Sequence, residues 1–248
     1  MSNPVLLNNV DHQNLRVITT RSAAYGDAVM SCLTFPFEFR NVQAWYPILF
    51  QEIAGDVLRP VALFGFQTGE NLFLDDQGWN AGYVPAMIRR EPFQIGLKAA
   101  DDPSQEALRM LSLDADHARV TEDETQGEAL FQPLGGRTPF LEKMTDLVET
   151  VYQGLGESEA FVAALQAHNL IEQVNMDITL DDGSHNQLLG FHAIDEDKFR
   201  ALPGDVLEQF SQQGFLMPAF LMMASFGSMP RLVSLKNRTL SEPGNSVA

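Results

Sequence analysis

The order of residue patterns along the chain predicts an α+β fold: a β-rich N-terminal half, two central helices, a β-hairpin and C-terminal helices in one compact domain. Three observations support this class. Strand-like runs separated by turn residues dominate up to residue 113. The apolar residues then recur at helical three- and four-residue spacing after Thr138, and a strand–turn–strand pattern returns over 171–194. A regular alternation of strand and helix, which predicts a parallel sheet, is missing.

The N-terminal half contains short strand candidates bounded by turn residues. Residues 1–14 are polar and form an arm or a first strand. In the apolar run 28–39, Pro36 predicts an edge strand or a bend. The strands predicted after the arm cover 15–20, 61–66, 71–74, 79–84, 93–97 and 108–113, with turns at Thr68-Gly69 and Asp76-Gln77-Gly78. The segment 106–113 could equally form a helix, because its apolar residues fall at 107, 108, 110, 111 and 113.

The helical half begins at a clear start signal, where Thr138 is the predicted N-cap and Pro139 the first helical residue. Gly154 and Gly156 are expected to end this helix, so that 158–169 forms a second one. The polar turn Asp181-Asp182-Gly183 then divides a hairpin over 171–194. A short helix over 195–202, a second helix from Pro203 and an apolar helix complete the pattern.

The domain organisation follows from the lack of any repeat, low-complexity linker or charge block in the sequence. We expect an arm over 1–14, one domain over 15–238 and a polar tail over 239–248. A chain of 248 residues is long enough to enclose a large core.

Charge and cysteine content restrict the partners and the compartment. Thirty-three acidic residues against sixteen basic ones give a net charge of −17, which disfavours nucleic acid and anionic membrane surfaces as partners. The same surplus also serves plain solubility. The lone cysteine, Cys32, excludes an internal disulfide, and Met1–Val10 lacks the basic and apolar regions of a secretory signal. We therefore expect a soluble, cytoplasmic protein.

The common chemical motifs of enzymes are missing from the sequence. It has no P-loop, no dinucleotide-binding glycine motif, no nucleophile elbow and no H-E-x-x-H metal motif, and its five histidines are scattered. The sequence therefore predicts no cofactor and no metal, and it leaves open whether the protein is an enzyme. The acidic run 195–197 fits acid–base groups, or equally acids that favour a helix N-terminus.

The segment 69–93 concentrates the side chains that recognise ligands, and its candidate ligand-binding residues are Trp79, Tyr83, Arg89 and Arg90. Aromatic rings beside arginines form stacking or anion-binding surfaces. The alternative is that the aromatic residues belong to the core and the arginines pair with acids. On an extended segment, adjacent arginines point to opposite faces, so only one of them enters a given pocket.

The segment Gly214–Pro230 is uncharged and close to the minimum length of a membrane span, but Pro218, Ser225 and Gly227 interrupt it. We expect a buried helix and no membrane span. An all-round apolar helix is covered by its own domain, or one face is covered by a protein partner or a second copy of the chain. Complete burial by the domain is the favoured expectation, with Met222 on one broad face.

Several blocks of the sequence, in order from about residue 15 to about 238, resemble the SapC family. The blocks are W-Y-P-I-L-F (45–50), G-E-N-L-F (69–73), Y-V-P-A-M-I-R-R-E-P-F (83–93), G-F-H-A-I-D-E-D-K-F (190–199) and the C-terminal series A-L-P, Q-Q-G-F-L and S-F-G-S-M-P-R-L-V-S-L-K-N. Glu91 stands where the resemblance implies an aromatic residue, which implies an altered site if that aromatic lines one.

The resemblance implies an association with bacterial surface layers, or with gene neighbourhoods of TonB-dependent receptors, cupin-like proteins and flavin-dependent tryptophan halogenases. It brings no catalytic residue. Three functions stay open: a binding or accessory protein that acts with a protein partner in a modification or uptake system, an enzyme with a site near Trp79, Arg89 and Arg90, and a surface-layer protein.

Overall fold

The computed structural model describes residues 3–53, 55, 57–98 and 108–241. With about 37% helix, about 27% strand and antiparallel sheets, it confirms the α+β class. The strands are β1 (Pro4–Leu6), β2 (Arg16–Val17), β3 (Ser31–Leu33), β4 (Ile48–Ile53), β5 (Val57–Leu63), β6 (Leu74–Asp75), β7 (Gly78–Trp79), β8 (Phe93–Lys98), β9 (Leu108–Asp114), β10 (Val120–Thr121), β11 (Glu128–Ala129), β12 (Ile171–Thr179) and β13 (His185–Ile194). The helices are α1 (Phe39–Val42), α2 (Ala86–Arg89), α3 (Pro139–Ala167), α4 (Glu196–Arg200), α5 (Gly204–Gln212), α6 (Leu216–Ser225) and α7 (Met229–Ser241).

The chain divides into two compact units. The first unit consists of Met1–Asp27 and Ala86–Gln153, and the second of Ala28–Pro85 and Gly154–Ala248. The division falls within α3, which is shared by both. The single domain expected over 15–238 stays a prediction.

The first unit contains two small antiparallel sheets, of order β1-β9-β8 and β10-β2-β11. Within the predicted arm, β1 pairs along β9, so the first-strand alternative is correct for these residues. The strand alternative also holds for β9. One apolar stripe of α3 packs into the core of this unit. Its core residues are Val17, Phe93, Leu113, Leu130, Phe131, Leu141, Met144 and Val148.

The second unit is built on a five-stranded sheet of order β12-β13-β4-β5-β3. The predicted hairpin forms its β12–β13 edge, and β3 lies at the other edge, in agreement with the expectation from Pro36. Phe161 of α3 is fully buried against the rings of Phe39, Phe50 and Phe215. Aromatic side chains contribute strongly to a core because each one buries a large apolar surface.

Two of the strands predicted around the candidate site are largely absent. Strand structure covers only Leu74–Asp75 and Gly78–Trp79, because the Asn71 side chain accepts a hydrogen bond from the Phe73 amide (3.0 Å) and forms a local turn. The prediction of an extended segment at Arg89 and Arg90 is also wrong. There the chain forms helix α2, and the Arg90 amide donates to the carbonyl of Ala86 (2.9 Å).

The prediction of two helices over 138–169 is wrong, because α3 is one helix of 29 residues. Its start is as expected, with Thr138 Oγ1 accepting a hydrogen bond from the Leu141 amide (3.2 Å). Gly154 lies inside the helix, where a Cβ atom would be 2.7 Å from the Phe37 ring and 3.0 Å from the Phe35 ring. This glycine therefore permits close packing and does not end the helix.

The apolar segment 214–230 forms α6 and a short 3₁₀ turn that leads into α7. Met222 is buried, but Met217 and Phe220 are about half exposed, so the expectation of complete burial is wrong. The helical run Leu216–Ser241 is long and apolar enough to cross a bilayer by length and composition alone, with 33% of its most apolar window buried. Core helices of soluble proteins also pass that test.

The two glycines of α3 give a matched test of this packing. Replacing Gly154 with Ala should lower the free energy of unfolding by roughly 1–3 kcal/mol, because the methyl group overpacks against Phe35 and Phe37. Gly156→Ala is the control, since a Cβ there meets nothing within 4 Å. It should raise stability by about 0.5–1 kcal/mol through helix propensity. Urea denaturation measures both, and equal effects of the two substitutions would contradict the packing role.

Candidate functional site

Trp79 and Tyr83 lie in the second unit, where their polar groups are held by neighbouring residues. Trp79 Nε1 donates a hydrogen bond to the hydroxyl of Tyr46 (2.7 Å), which in turn donates to the backbone carbonyl of Tyr83 (2.5 Å). The Trp79 ring also packs edge-on against Phe64 at 5.2 Å between centroids. These contacts fix the Trp79 ring and the backbone at Tyr83 within the second unit.

Tyr46 is the centre of this aromatic group. It is fully buried, and its ring packs edge-on against Phe64 and Phe73. Burial raises the pKa of the Tyr46 hydroxyl far above its usual value, so it stays protonated and acts as a hydrogen-bond relay. The Tyr83 hydroxyl donates to Glu38 Oε2 (2.8 Å), and Glu38 is buried. The indole N–H of Trp79 and the hydroxyl proton of Tyr83 are therefore both used within the unit.

Arg90 lies in the first unit and is occupied by local contacts. Its Nη1 donates to the carbonyl of Phe93 (2.6 Å), its Nε contacts Met87 Sδ (3.3 Å), and its Nη2 lies 3.2 Å from Glu91. Both sides of the guanidinium are therefore used to fix the turn that leads into β8.

Arg89 lines a cavity of about 180 Å³ in the first unit. That volume corresponds to roughly six water molecules, at about 30 Å³ each. Its lining combines three basic side chains (Arg21, Arg89 and Lys143) and one acid (Glu91). The other lining residues are mostly apolar: Val17, Ile18, Thr19, Phe140 and Met144. We call it the basic cavity. Three cations against one carboxylate form an unusual lining in a chain with a net charge of −17.

One carboxylate fixes the cationic side of the basic cavity. Asp27 Oδ1 lies 3.2 Å from Arg21 Nη1, and its Oδ2 lies 2.5 Å from Arg119 Nη2. Arg119 is almost fully buried and also donates to the carbonyls of Ile18 (2.9 Å) and Thr20 (2.7 Å). Asp27 thus anchors the backbone and one side chain of the cavity wall through charge-assisted hydrogen bonds.

Arg21 carries a positive charge that is only partly compensated. Burial, and next the nearby Arg119 guanidinium, lower the pKa of Arg21, and the Asp27 carboxylate opposes them. An arginine remains protonated even so. Its hydrogen bonds to Asp27 and to the Ile88 carbonyl (2.9 Å) both use Nη1. An anion in the cavity would therefore relieve repulsion among the guanidinium groups.

The remaining wall of the basic cavity adds further positive potential. Phe140 and Lys143 belong to the first turns of α3, where the helix dipole presents its positive end. Lys143 is exposed, and it forms no ion pair among the residues that the structure describes. Glu91 is the opposing charge, and it contacts Arg90 and His117 (3.8 Å from Nε2).

The candidate residues are thus divided between the two units, with Trp79 and Tyr83 in the second and Arg89 and Arg90 in the first. Their common cleft stays a prediction. Arg21 and Lys143 are not among the residues predicted from sequence, and only the fold brings them to the same cavity as Arg89. Their one signal is rarity, since the chain has only sixteen lysines and arginines.

The acidic run at 195–197 has a structural role. The Asp195 side chain caps α4 by accepting a hydrogen bond from the Lys198 amide (3.0 Å), and it lies 2.6 Å from the Lys198 ammonium. These contacts with Lys198 hold the pKa of Asp195 below its usual value. Within the described ranges, no group of three or more His, Cys, Asp or Glu residues is arranged to hold a metal ion.

The anchoring role of Asp27 predicts a large loss of stability when it is neutralised. Asp27→Asn should lower the free energy of unfolding by about 3–5 kcal/mol, because two guanidinium groups lose a buried counter-ion. Asp146→Asn, an exposed change on α3, is the control and should change stability by less than about 0.5 kcal/mol. Thermal unfolding distinguishes them. A similar small effect at both positions would contradict the anchoring role.

Comparison with known proteins agrees with the blocks seen in the sequence. No curated protein and no solved structure matches the chain. The sequence model of the SapC family matches residues 7–232, which include nearly all of both units. The chain therefore belongs to the SapC family.

Proposed function

We propose that this SapC-family chain is a binding protein for a small anionic ligand, with a phosphate or carboxylate group, and that the basic cavity is its binding site. The observation that carries the proposal is the concentration of Arg21, Arg89 and Lys143 around one cavity of an acidic protein. Phosphate and carboxylate groups are the usual partners of such clusters, because guanidinium groups donate pairs of hydrogen bonds to them.

The size of the cavity supports recognition of an anionic head group. About 180 Å³ holds a phosphate or a carboxylate with a short stem. Phe140 and Met144 add apolar surface for that stem. The protein would then act as an accessory that holds an anionic compound for other components of a modification or uptake system.

Removal of one cation from the cavity should weaken anion binding. Lys143→Gln should raise the Kd for inorganic phosphate by about 10-fold, the low end of the range for a hydrogen bond to a charged group, because Lys143 is exposed. Isothermal titration at constant ionic strength measures this change. Arg40→Gln is the matched control, since it removes one exposed positive charge from the second unit and should leave the Kd unchanged.

Removal of the acid should have the opposite effect. Glu91→Gln should lower the Kd for phosphate by about 5-fold, because a carboxylate in the cavity lining repels the anion. Glu91 is partly exposed, so the substitution leaves the fold intact. If Lys143→Gln and Glu91→Gln change the affinity in the same direction, or if phosphate does not bind at all, the proposal is wrong.

An enzyme is the second candidate function, and one observation favours it. Glu91 lines the cavity and lies 3.8 Å from His117, so a carboxylate and an imidazole stand beside the proposed anion site. Such a pair transfers protons in general acid–base catalysis. Glu91→Gln also separates the two functions: it improves binding in a binding protein, but it abolishes turnover in an enzyme that uses this carboxylate.

A further inference from the structure

The second unit carries an apolar groove of about 530 Å³ between three helices. Helix α4 contributes Phe199, α5 contributes Leu207, and α6 contributes Phe220 and Met223. The remaining lining residues are Glu196, Arg200 and Ala224. The volume is within the range of about 300–1,000 Å³ that specific pockets occupy, so the groove accommodates several inserted side chains.

Exposed apolar side chains extend from the groove onto the surface. Phe220 is 54% exposed and Met217 is 53% exposed, one helical turn before it on α6. The inner edge of Phe220 packs against the buried ring of Phe199 at 5.6 Å between centroids, which holds it in place. A fixed, half-exposed aromatic ring beside a groove is typical of an interface anchor.

The charges beside the groove indicate what kind of partner it binds. On α4 and its cap, Lys198 pairs with Asp195 and Arg200 pairs with Asp197. Three other acids form no ion pair in the described part of the chain: Glu196, which lines the groove, and Asp205 and Glu208, which lie on the helix that supplies Leu207. This surplus, in a chain of net charge −17, favours a cationic partner and disfavours a second copy or an anionic membrane.

We propose that this groove is the docking site for a cationic amphipathic helix of another protein. The apolar side chains of that helix insert between Phe199, Leu207 and Phe220, and its lysines or arginines face Glu196 in the groove lining. This is the helix-in-groove mode of recognition. The proposal is independent of the basic cavity, since it uses only residues of the second unit.

A fluorescent helical peptide of about 18 residues, with leucines on one face and lysines on the other, is a suitable probe, because its length supports helix formation. Anisotropy titration with the full chain should show binding that weakens as salt is raised. The same peptide with glutamates in place of its lysines should bind at least about 10-fold more weakly, because like charges repel. Equal binding of the two peptides would overturn the charge argument.

Two variants locate the site. Phe220→Ser should weaken peptide binding by about 10-fold or more through loss of the anchor, and Leu189→Ser is the control, an exposed apolar residue outside the groove lining. Glu196→Lys should weaken binding at an exposed position that does not endanger folding. The proposal is wrong if neither Phe220→Ser nor Glu196→Lys affects binding.

Two further outcomes would assign the groove to another occupant and overturn the proposal. One is a dimer in light scattering that Phe220→Ser dissociates, together with no binding of the cationic peptide. The other is binding of phosphatidylcholine–phosphatidylglycerol vesicles that Phe220→Ser abolishes, again without peptide binding. Failure of any of these tests would leave the phosphate titrations of the basic cavity unaffected, because no residue is shared.

Discussion

The candidate site depends on the ion pairs that the Asp27 carboxylate forms with Arg21 and Arg119. The carboxylate is buried, and it receives hydrogen bonds from two guanidinium groups and from the Ser22 amide (2.8 Å). Arg119 extends this anchor to the backbone of Ile18 and Thr20, beside the strand that forms part of the cavity wall. Asp27 therefore positions Arg21 and, through Arg119, the backbone of the cavity wall. Its single negative charge offsets only part of the positive charge of these two arginines. The charge that remains supports the proposal that the cavity binds an anion.

The features that could be predicted from sequence are those that depend on neighbouring residues. The start of α3 at Thr138-Pro139 and the hairpin turn at 181–183 are encoded within a few residues, and both form as expected. The end of α3 was mispredicted, because the conformational freedom of Gly154 suggested a break, whereas its role is contact with Phe35 and Phe37, distant in the chain. Helix α2 was missed because its four residues are too few to show a period.

In the candidate site, too, contacts between residues distant in the chain could not be predicted from the sequence. Arg89 stood out because it lies in a segment rich in aromatic and basic residues, and it does line a cavity. Arg21 meets the backbone of Ile88 across 67 residues, and Arg119 meets Asp27 across 92. Contacts at such separations follow from the packing of the unit, and no local pattern indicates them. Trp79 and Tyr83 are close in sequence, but the hydroxyl of Tyr46 that joins them lies more than 30 residues away from both.

The two proposed binding surfaces of this acidic chain select ligands of opposite charge. The cations of the basic cavity favour an anion, and the acids beside the apolar groove favour a cationic partner. The central claim is that an anion occupies the basic cavity. A crystal of the full chain grown with selenate, whose anomalous scattering locates the ion, tests it most directly. We expect a peak within hydrogen-bond distance, about 3 Å, of the guanidinium groups of Arg21 and Arg89. Selenate bound only elsewhere, with water alone between those arginines and Lys143, would contradict it.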